Sequence, residues 1–162
     1  MRLKLLILLL LVVVLGGLYW NNNQNQIIAM LINSPNRSQD VAIDRVQDST
    51  HLRLKDGRTI ALCGVVIPNS TMSQAAQSFL KDLVKRSEGA YLVEAAQSGP
   101  GSGKGEITLR LPGSPSSELN LTSDLILEGY GSVAQQDSCP NLERFQVAEE
   151  RAKKQRIGIW KG

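Results

Sequence analysis

The strongest constraint on the fold is a β-hairpin pattern in the first half of the chain. Leu52 and Leu54 occupy alternate positions, as do Ile60 and Leu62, and an Asp-Gly pair lies between the two runs. Period-two alternation indicates strands with one buried face, and Asp-Gly is a strong turn signal. A two-residue loop would send the two apolar pairs to opposite faces. A three-residue loop with Gly57 in the left-handed conformation is therefore predicted, because it places all four side chains on one face.

The remaining pattern predicts helices interleaved with short strands. A capping box from Thr71 to Gln74 opens the first helix, and glycines follow the apolar stripes of the first two helices. The predicted strands are 41–46, the two hairpin strands, 91–96, 107–111 and 130–134, and the predicted helices are 71–89, 119–128 and 141–157. Three strands, a helix, two strands, a helix, a short strand and a helix fit a small barrel with helices packed against it.

The N-terminus predicts a membrane segment. Arg2 and Lys4 precede an apolar run over residues 5–20, and a polar stretch follows it. Sixteen helical residues span about 24 Å, slightly short of the roughly 30 Å hydrocarbon core, and Tyr19 and Trp20 suit the interface. An uncleaved anchor is favoured, with a cleaved signal peptide and a secreted domain as the alternative. In either case the positive-inside rule places the rest of the chain outside the cytoplasm.

These signals divide the chain into an anchor or signal segment (1–20), a polar linker (21–40) and a folded domain (41–162). The formal charge is +3, but without Arg2 and Lys4 the count is 16 basic against 15 acidic residues, or +1. A nucleic-acid-binding domain concentrates basic residues on one face. Nucleic acid is therefore not an expected partner.

Two cysteines, Cys63 and Cys139, are expected in a compartment where thiols can oxidise. They are candidates for one disulfide that closes a long loop, and two small buried thiols are the equally weighted alternative. Neither a Cys-x-x-Cys pair nor a Cys/His ligand set is present, so the sequence indicates no structural zinc site.

Three stretches carry a family resemblance. Residues 46–69 read VQDSTHLRLKDGRTIALCGVVIPN, 119–130 read LNLTSDLILEGY, and 148–160 read AEERAKKQRIGIW. In this order they resemble three motifs of the staphylococcal nuclease family: V-x-D-G-D-T through G-I-D-x-P-E, L-N-x-x-L-V-x-x-G-Y, and A-E-x-x-A to G-L-W. The resemblance implies a five-stranded OB-type barrel with three helices.

The residues that carry the family's chemistry are absent at the matching positions. Thr50 and Val66 stand where the resemblance places metal-binding aspartates. Ala61 and Asn69 stand where it places the first catalytic arginine and the catalytic glutamate, and aligning the preceding glycine puts Glu106 at the second arginine. The resemblance therefore implies that phosphodiester hydrolysis has been lost, and with it the family's need for Ca²⁺.

These patterns favour one function and leave one alternative. The first is a catalytically inactive, single-pass membrane protein whose extracytoplasmic domain is a docking or accessory subunit for membrane-protein partners, with no cofactor. The alternative is a divergent secreted or anchored nuclease that uses other residues, such as Asp48, Glu106 and Arg110, with Ca²⁺ as its metal.

Overall fold

The computed structural model describes residues 38–95, 102–113 and 117–162. The predicted anchor over 1–20 and almost all of the predicted linker lie outside these ranges. The described elements, in chain order, are β1 Ser38–Val41, β2 Ile43–Val46, β3 His51–Leu54, β4 Thr59–Leu62, β5 Val65–Val66, α1 Ser70–Arg86, β6 Gly89–Glu94, β7 Ser102–Arg110, β8 Glu118–Asn120, α2 Leu121–Leu127, β9 Ser132–Val133, α3 Leu142–Gln155 and a 3₁₀ turn Gly158–Trp160.

A single bent strand closes the main sheet. The strand order is β1-β6-β7-β4-β3-β2, and only Ala42 separates β1 from β2 along the chain. Because β1 pairs with β6 and β2 pairs with β3, the two outer positions of the sheet belong to one continuous segment. The expected single strand over 41–46 is thus the second half of a longer strand that begins at Ser38. This mixed sheet with three helices is consistent with the expected OB-type architecture.

One strand pair departs from the antiparallel pattern. β4 and β7 run parallel, with Ala61 opposite Lys104 and Leu62 opposite Gly105. Parallel neighbours need a long crossover, and the chain makes it through α1 and β6. This pairing brings residues about 40 positions apart side by side at the end of β4.

The three-residue hairpin loop is confirmed. The amide of Leu54 donates to the carbonyl of Arg58 over 2.9 Å, which leaves Lys55, Asp56 and Gly57 as the loop. Gly57 has φ +92°, in the left-handed region that the loop requires. Leu52 is paired with Ile60, and both side chains are fully buried.

Two helix starts differ from the prediction. α1 begins at Ser70, and the Asn69 side chain accepts a hydrogen bond from the Met72 amide at 2.9 Å. The predicted capping box at Thr71 is wrong. Asn69, in an extended conformation directly before Ser70, is the N-cap, so Thr71 already lies inside the helix. Likewise 118–120 form β8 against the end of β7, and Asn120 caps α2 by accepting from the Ser123 amide.

The core lies between the barrel interior and the inner faces of the helices. Its largest fully buried apolar residues are Leu52, Leu54, Ile60, Leu80, Leu92, Ile107, Leu109, Leu121, Leu125, Ile126 and Phe145. Gly64 lies against the Phe145 ring, where a Cβ atom would come within 2.6 Å of a ring carbon. Among the residues that the structure describes, no helix combines the length and apolar character that crossing a bilayer requires.

Asp124 is a half-buried acid in the short helix α2. Burial raises its pKa from 3.8 to about 6, the positive charge of Arg144 opposes this shift, and the negative charge of Glu128 adds to it. The native state thus binds the Asp124 proton more tightly than the unfolded chain does. Between about pH 4 and pH 6 this group makes the free energy of unfolding fall as pH rises.

We expect Asp124→Asn to stabilise the protein at pH 7.5 and to leave its stability nearly unchanged at pH 4. The gain should be about 1 kcal/mol, since partial exposure to solvent reduces the effect of the pKa shift. Urea unfolding at the two pH values measures it. Asp82→Asn, on the exposed side of α1, is the matched control and should show no such gain. Equal pH dependence in Asp124→Asn and the unaltered protein would contradict the assignment.

Candidate functional site

Four positions at which the resemblance implies lost chemistry lie around the end of β4. Thr50 is in the turn between β2 and β3, and its carbonyl accepts from the Leu62 amide at 2.7 Å. Ala61 lies in β4, paired with His51 on one side and Lys104 on the other. Val66 in β5 and Asn69 before α1 follow within a few residues. These elements define the candidate site.

Asp48 organises the turn that carries Thr50. Its carboxylate accepts hydrogen bonds from the backbone amides of Thr50 and His51, each at 2.8 Å. The His51 ring also contacts the carboxylate, with Nδ1 3.0 Å from an oxygen. Partial burial acts to raise the pKa of Asp48, but the hydrogen bonds from Thr50 and His51 outweigh it and lower the pKa below 3.8. Asp48 therefore supports the backbone at this turn.

Val66 and Asn69, where the resemblance implies acids, both have local structural roles. Val66 is 51 % exposed, and its strand pairs with β9 through the register Val66 to Ser132. Asn69 is the N-cap of α1, so its side-chain oxygen is already hydrogen-bonded to a backbone amide. An apolar surface residue and a helix cap thus occupy these two positions.

Glu106 lies in the interior of the protein. Its side chain is fully buried, and one carboxylate oxygen accepts from the Asn141 amide at 2.7 Å. The other accepts from the side-chain nitrogens of Asn141 at 2.6 Å and Asn120 at 3.3 Å. Glu106 thus joins the start of α3 to the start of α2. The structure does not bring it to the surface where Ala61 lies.

The sheet pairs Ala61 with a cationic residue, Lys104, which the sequence patterns do not single out. Its backbone pairs with Ala61, and its ammonium lies 2.5 Å from a carboxylate oxygen of Asp137. A sequence signal for Lys104 exists, because it stands only two residues before Glu106, the position where the resemblance places the second arginine. Lys104 lies outside the predicted strand 107–111, whereas the structure extends β7 back to Ser102.

Asp137 is the carboxylate that reaches this site from elsewhere in the chain. Besides the Lys104 ammonium, it accepts a hydrogen bond from the Gly64 amide at 3.0 Å. Partial burial acts to raise the pKa of Asp137. The hydrogen bonds from Lys104 and Gly64 and the positive charge of Lys104 outweigh burial and lower the pKa below 3.8. At neutral pH Asp137 is therefore ionised and forms an ion pair with Lys104, the residue that pairs with Ala61.

A disulfide lies directly beside this ion pair. Cys63 and Cys139 are bonded, with Cα atoms 5.8 Å apart. Among the described residues, the one group of three metal-ligand types is Cys63, Asp137 and Cys139, whose ligand atoms lie within 4.8 Å of one another. Because a disulfide offers no thiolate, this group does not form a metal site in the oxidised protein.

The residues of the alternative nuclease reading are not brought together. Glu106 is buried, while Asp48 is held in the β2–β3 turn. Arg110 lies at the far end of β7, where it pairs with Asp40 at 2.8 Å and stacks over the Tyr91 ring. Arg110 lies five positions after Gly105 in β7, or about 16 Å along the strand.

Comparison with known protein families identifies the family of this chain. The family model described as staphylococcal nuclease homologue matches residues 26–162, which is most of the chain. A search of curated proteins found no match.

We expect Glu106→Ala to lower the free energy of unfolding by about 3 kcal/mol, because the amide and side chain of Asn141 would lose a buried acceptor. Glu118→Ala is the matched control, since Glu118 is an exposed carboxylate that accepts a hydrogen bond from the Tyr91 hydroxyl. It should cost less than about 1 kcal/mol. Denaturant unfolding of both variants makes the comparison. Similar losses in the two variants would contradict a structural role specific to Glu106.

Proposed function

Because the chain belongs to the staphylococcal nuclease homologue family, we propose that it is a catalytically inactive member. Its role is that of a docking or accessory subunit on the extracytoplasmic face of a membrane. The observation that carries this proposal is the set of side chains around the end of β4. Thr50, Ala61, Val66 and Asn69 supply no carboxylate and no cation.

Phosphodiester hydrolysis makes definite chemical demands on such a site. It needs a metal held by carboxylates, a group that activates or orients water, and cationic donors for the charge that develops on the phosphate. A hard cation such as Ca²⁺ binds to oxygen ligands, and carboxylates provide most of the charge. Thr50 and Val66 provide no such charge, and the side chain of Asn69 is a helix cap rather than a base. Removing even one donor of this kind typically lowers the rate about 100-fold to 1,000-fold.

The nearby charged groups also favour a non-catalytic role. Lys104 and Asp137 neutralise each other. Asp48 accepts two backbone hydrogen bonds within its own turn. A metal site here would need these side chains to exchange their present partners for a cation. The arrangement is better suited to holding the local structure than to chemistry.

Membrane attachment is the second part of the proposal. The apolar run over 5–20 behind Arg2 and Lys4 supports an N-terminal anchor with the domain outside the cytoplasm. The domain's near-neutral charge supports a protein partner in the same membrane rather than nucleic acid. No cofactor belongs to this role, and Ca²⁺ enters only with the nuclease alternative.

We expect the purified full chain to leave single- and double-stranded DNA and RNA intact, with or without Ca²⁺. Crosslinking in its native membrane should recover one partner in constant ratio, and deletion of 1–20 should reduce that recovery. Ca²⁺-dependent cleavage that disappears in Asp48→Asn would instead support the divergent nuclease. Recovery of the chain alone after crosslinking would count against the docking role.

A gain-of-function variant tests whether the metal position has been lost by substitution alone. We expect Thr50→Asp combined with Val66→Asp to acquire Ca²⁺ binding, because two carboxylates would return to positions that the family uses for metal. Thermal unfolding with and without Ca²⁺ should show a higher Tm for this variant only. Thr50→Asn combined with Val66→Asn is the matched control, with similar volume and no added charge. A Ca²⁺-induced rise in Tm for the unaltered chain would contradict the proposal.

A further inference from the structure

Residues 134–141 form a short segment, here called the strap, that lies over the end of β4. The Ala134 amide donates to the Gly64 carbonyl at one end, and Asn141 binds Glu106 at the other. Between these ends, the strap is attached through the Cys139 disulfide and the Asp137 carboxylate. Its other side chains, Gln135, Gln136, Ser138 and Pro140, are exposed. The middle of the strap is therefore held mainly by these two attachments.

The two groups that contact the Asp137 carboxylate are of the kinds that bind anions in proteins. One is the Lys104 ammonium at 2.5 Å, and the other is the Gly64 amide at 3.0 Å. A positive charge beside a backbone N–H is a common arrangement for phosphate and carboxylate recognition. The side chain of Lys104 is 44 % exposed, so part of it faces solvent while the ion pair is formed.

We propose that Lys104 and the Gly64 amide form a binding site for a small oxyanion of the phosphate type, occupied by Asp137 in the oxidised protein. Reduction of the Cys63–Cys139 disulfide releases the middle of the strap and opens the site. While the disulfide is intact, Asp137 competes as a tethered group, at an effective concentration on the order of millimolar or above. After reduction, the disulfide no longer holds the strap, and Asp137 is held only by the contacts of its own carboxylate. An exogenous anion then competes more successfully.

The redox step requires a dithiol as reductant. Its thiolate attacks the sulphur of Cys139, the half-buried cysteine, and forms a mixed disulfide while Cys63 leaves as a thiolate. The second thiol of the reductant then displaces Cys139. Two electrons and two protons pass to the cysteines, which become thiols, and the reductant leaves as a disulfide. This site is independent of the proposed docking role, because it depends on neither a membrane partner nor catalysis.

Titration of the full chain in detergent with inorganic phosphate, followed by ³¹P NMR at constant ionic strength, tests the site. Reduction by dithiothreitol should lower the dissociation constant for phosphate at least about tenfold. Asp137→Ala should produce a similar gain without reduction, and adding Lys104→Gln should abolish it. Glu150→Ala is the control for charge, since it removes an exposed carboxylate on α3 and should produce no gain.

Circular dichroism of the reduced chain shows whether the fold persists. Unfolding on reduction would overturn the redox gate, and the Asp137→Ala comparison would still decide the anion site. Phosphate binding that is equal in Asp137→Ala and the unaltered chain would overturn the site itself. Sedimentation of the same variants with vesicles containing phosphatidic acid, against phosphatidylcholine alone, distinguishes a lipid phosphate from free phosphate as the source.

Discussion

The parallel pairing of β4 with β7 is the constraint on which the rest of the site depends. It places Lys104 beside Ala61 and Gly105 beside Leu62, so that residues far apart in the chain share one end of the barrel. The same pairing puts the Cys63 amide on the Gly105 carbonyl at 2.9 Å. Everything built at this end, including the disulfide, the ion pair and the strap, is positioned by this one contact between strands.

Glu106 stabilises the same region from inside. A buried carboxylate is costly unless its oxygens are hydrogen-bonded, and here Asn120 and Asn141 supply the donors. These two asparagines stand at the starts of α2 and α3. One acid side chain in β7 thereby fixes where two helices begin relative to the barrel. The register of β4 with β7, which pairs Ala61 with Lys104 and Leu62 with Gly105, places Glu106 beyond Ala61.

The positions that the family resemblance associates with chemistry carry local structural roles in this chain. Asn69 caps α1, Thr50 lies in a turn closed by Asp48, and Val66 pairs with β9. Each role involves a backbone hydrogen bond that supports the fold and does not depend on catalytic activity. The architecture can therefore persist with different side chains, because the fold depends on strand pairing and core packing while catalysis depends on a few exposed groups.

The sequence alone determined the order of the three helices and the longer strands, though not β5 or β8, together with the three-residue hairpin loop and the family. These follow from local signals: period-two alternation, an Asp-Gly turn and short motifs. It also pointed to Thr50, Ala61, Val66 and Asn69. Only the tertiary structure decided that Glu106 is buried, that Asp137 reaches Lys104 and that Cys63 meets Cys139. Those contacts join residues 33 to 76 positions apart, and barrel closure, which no local pattern encodes, determines them.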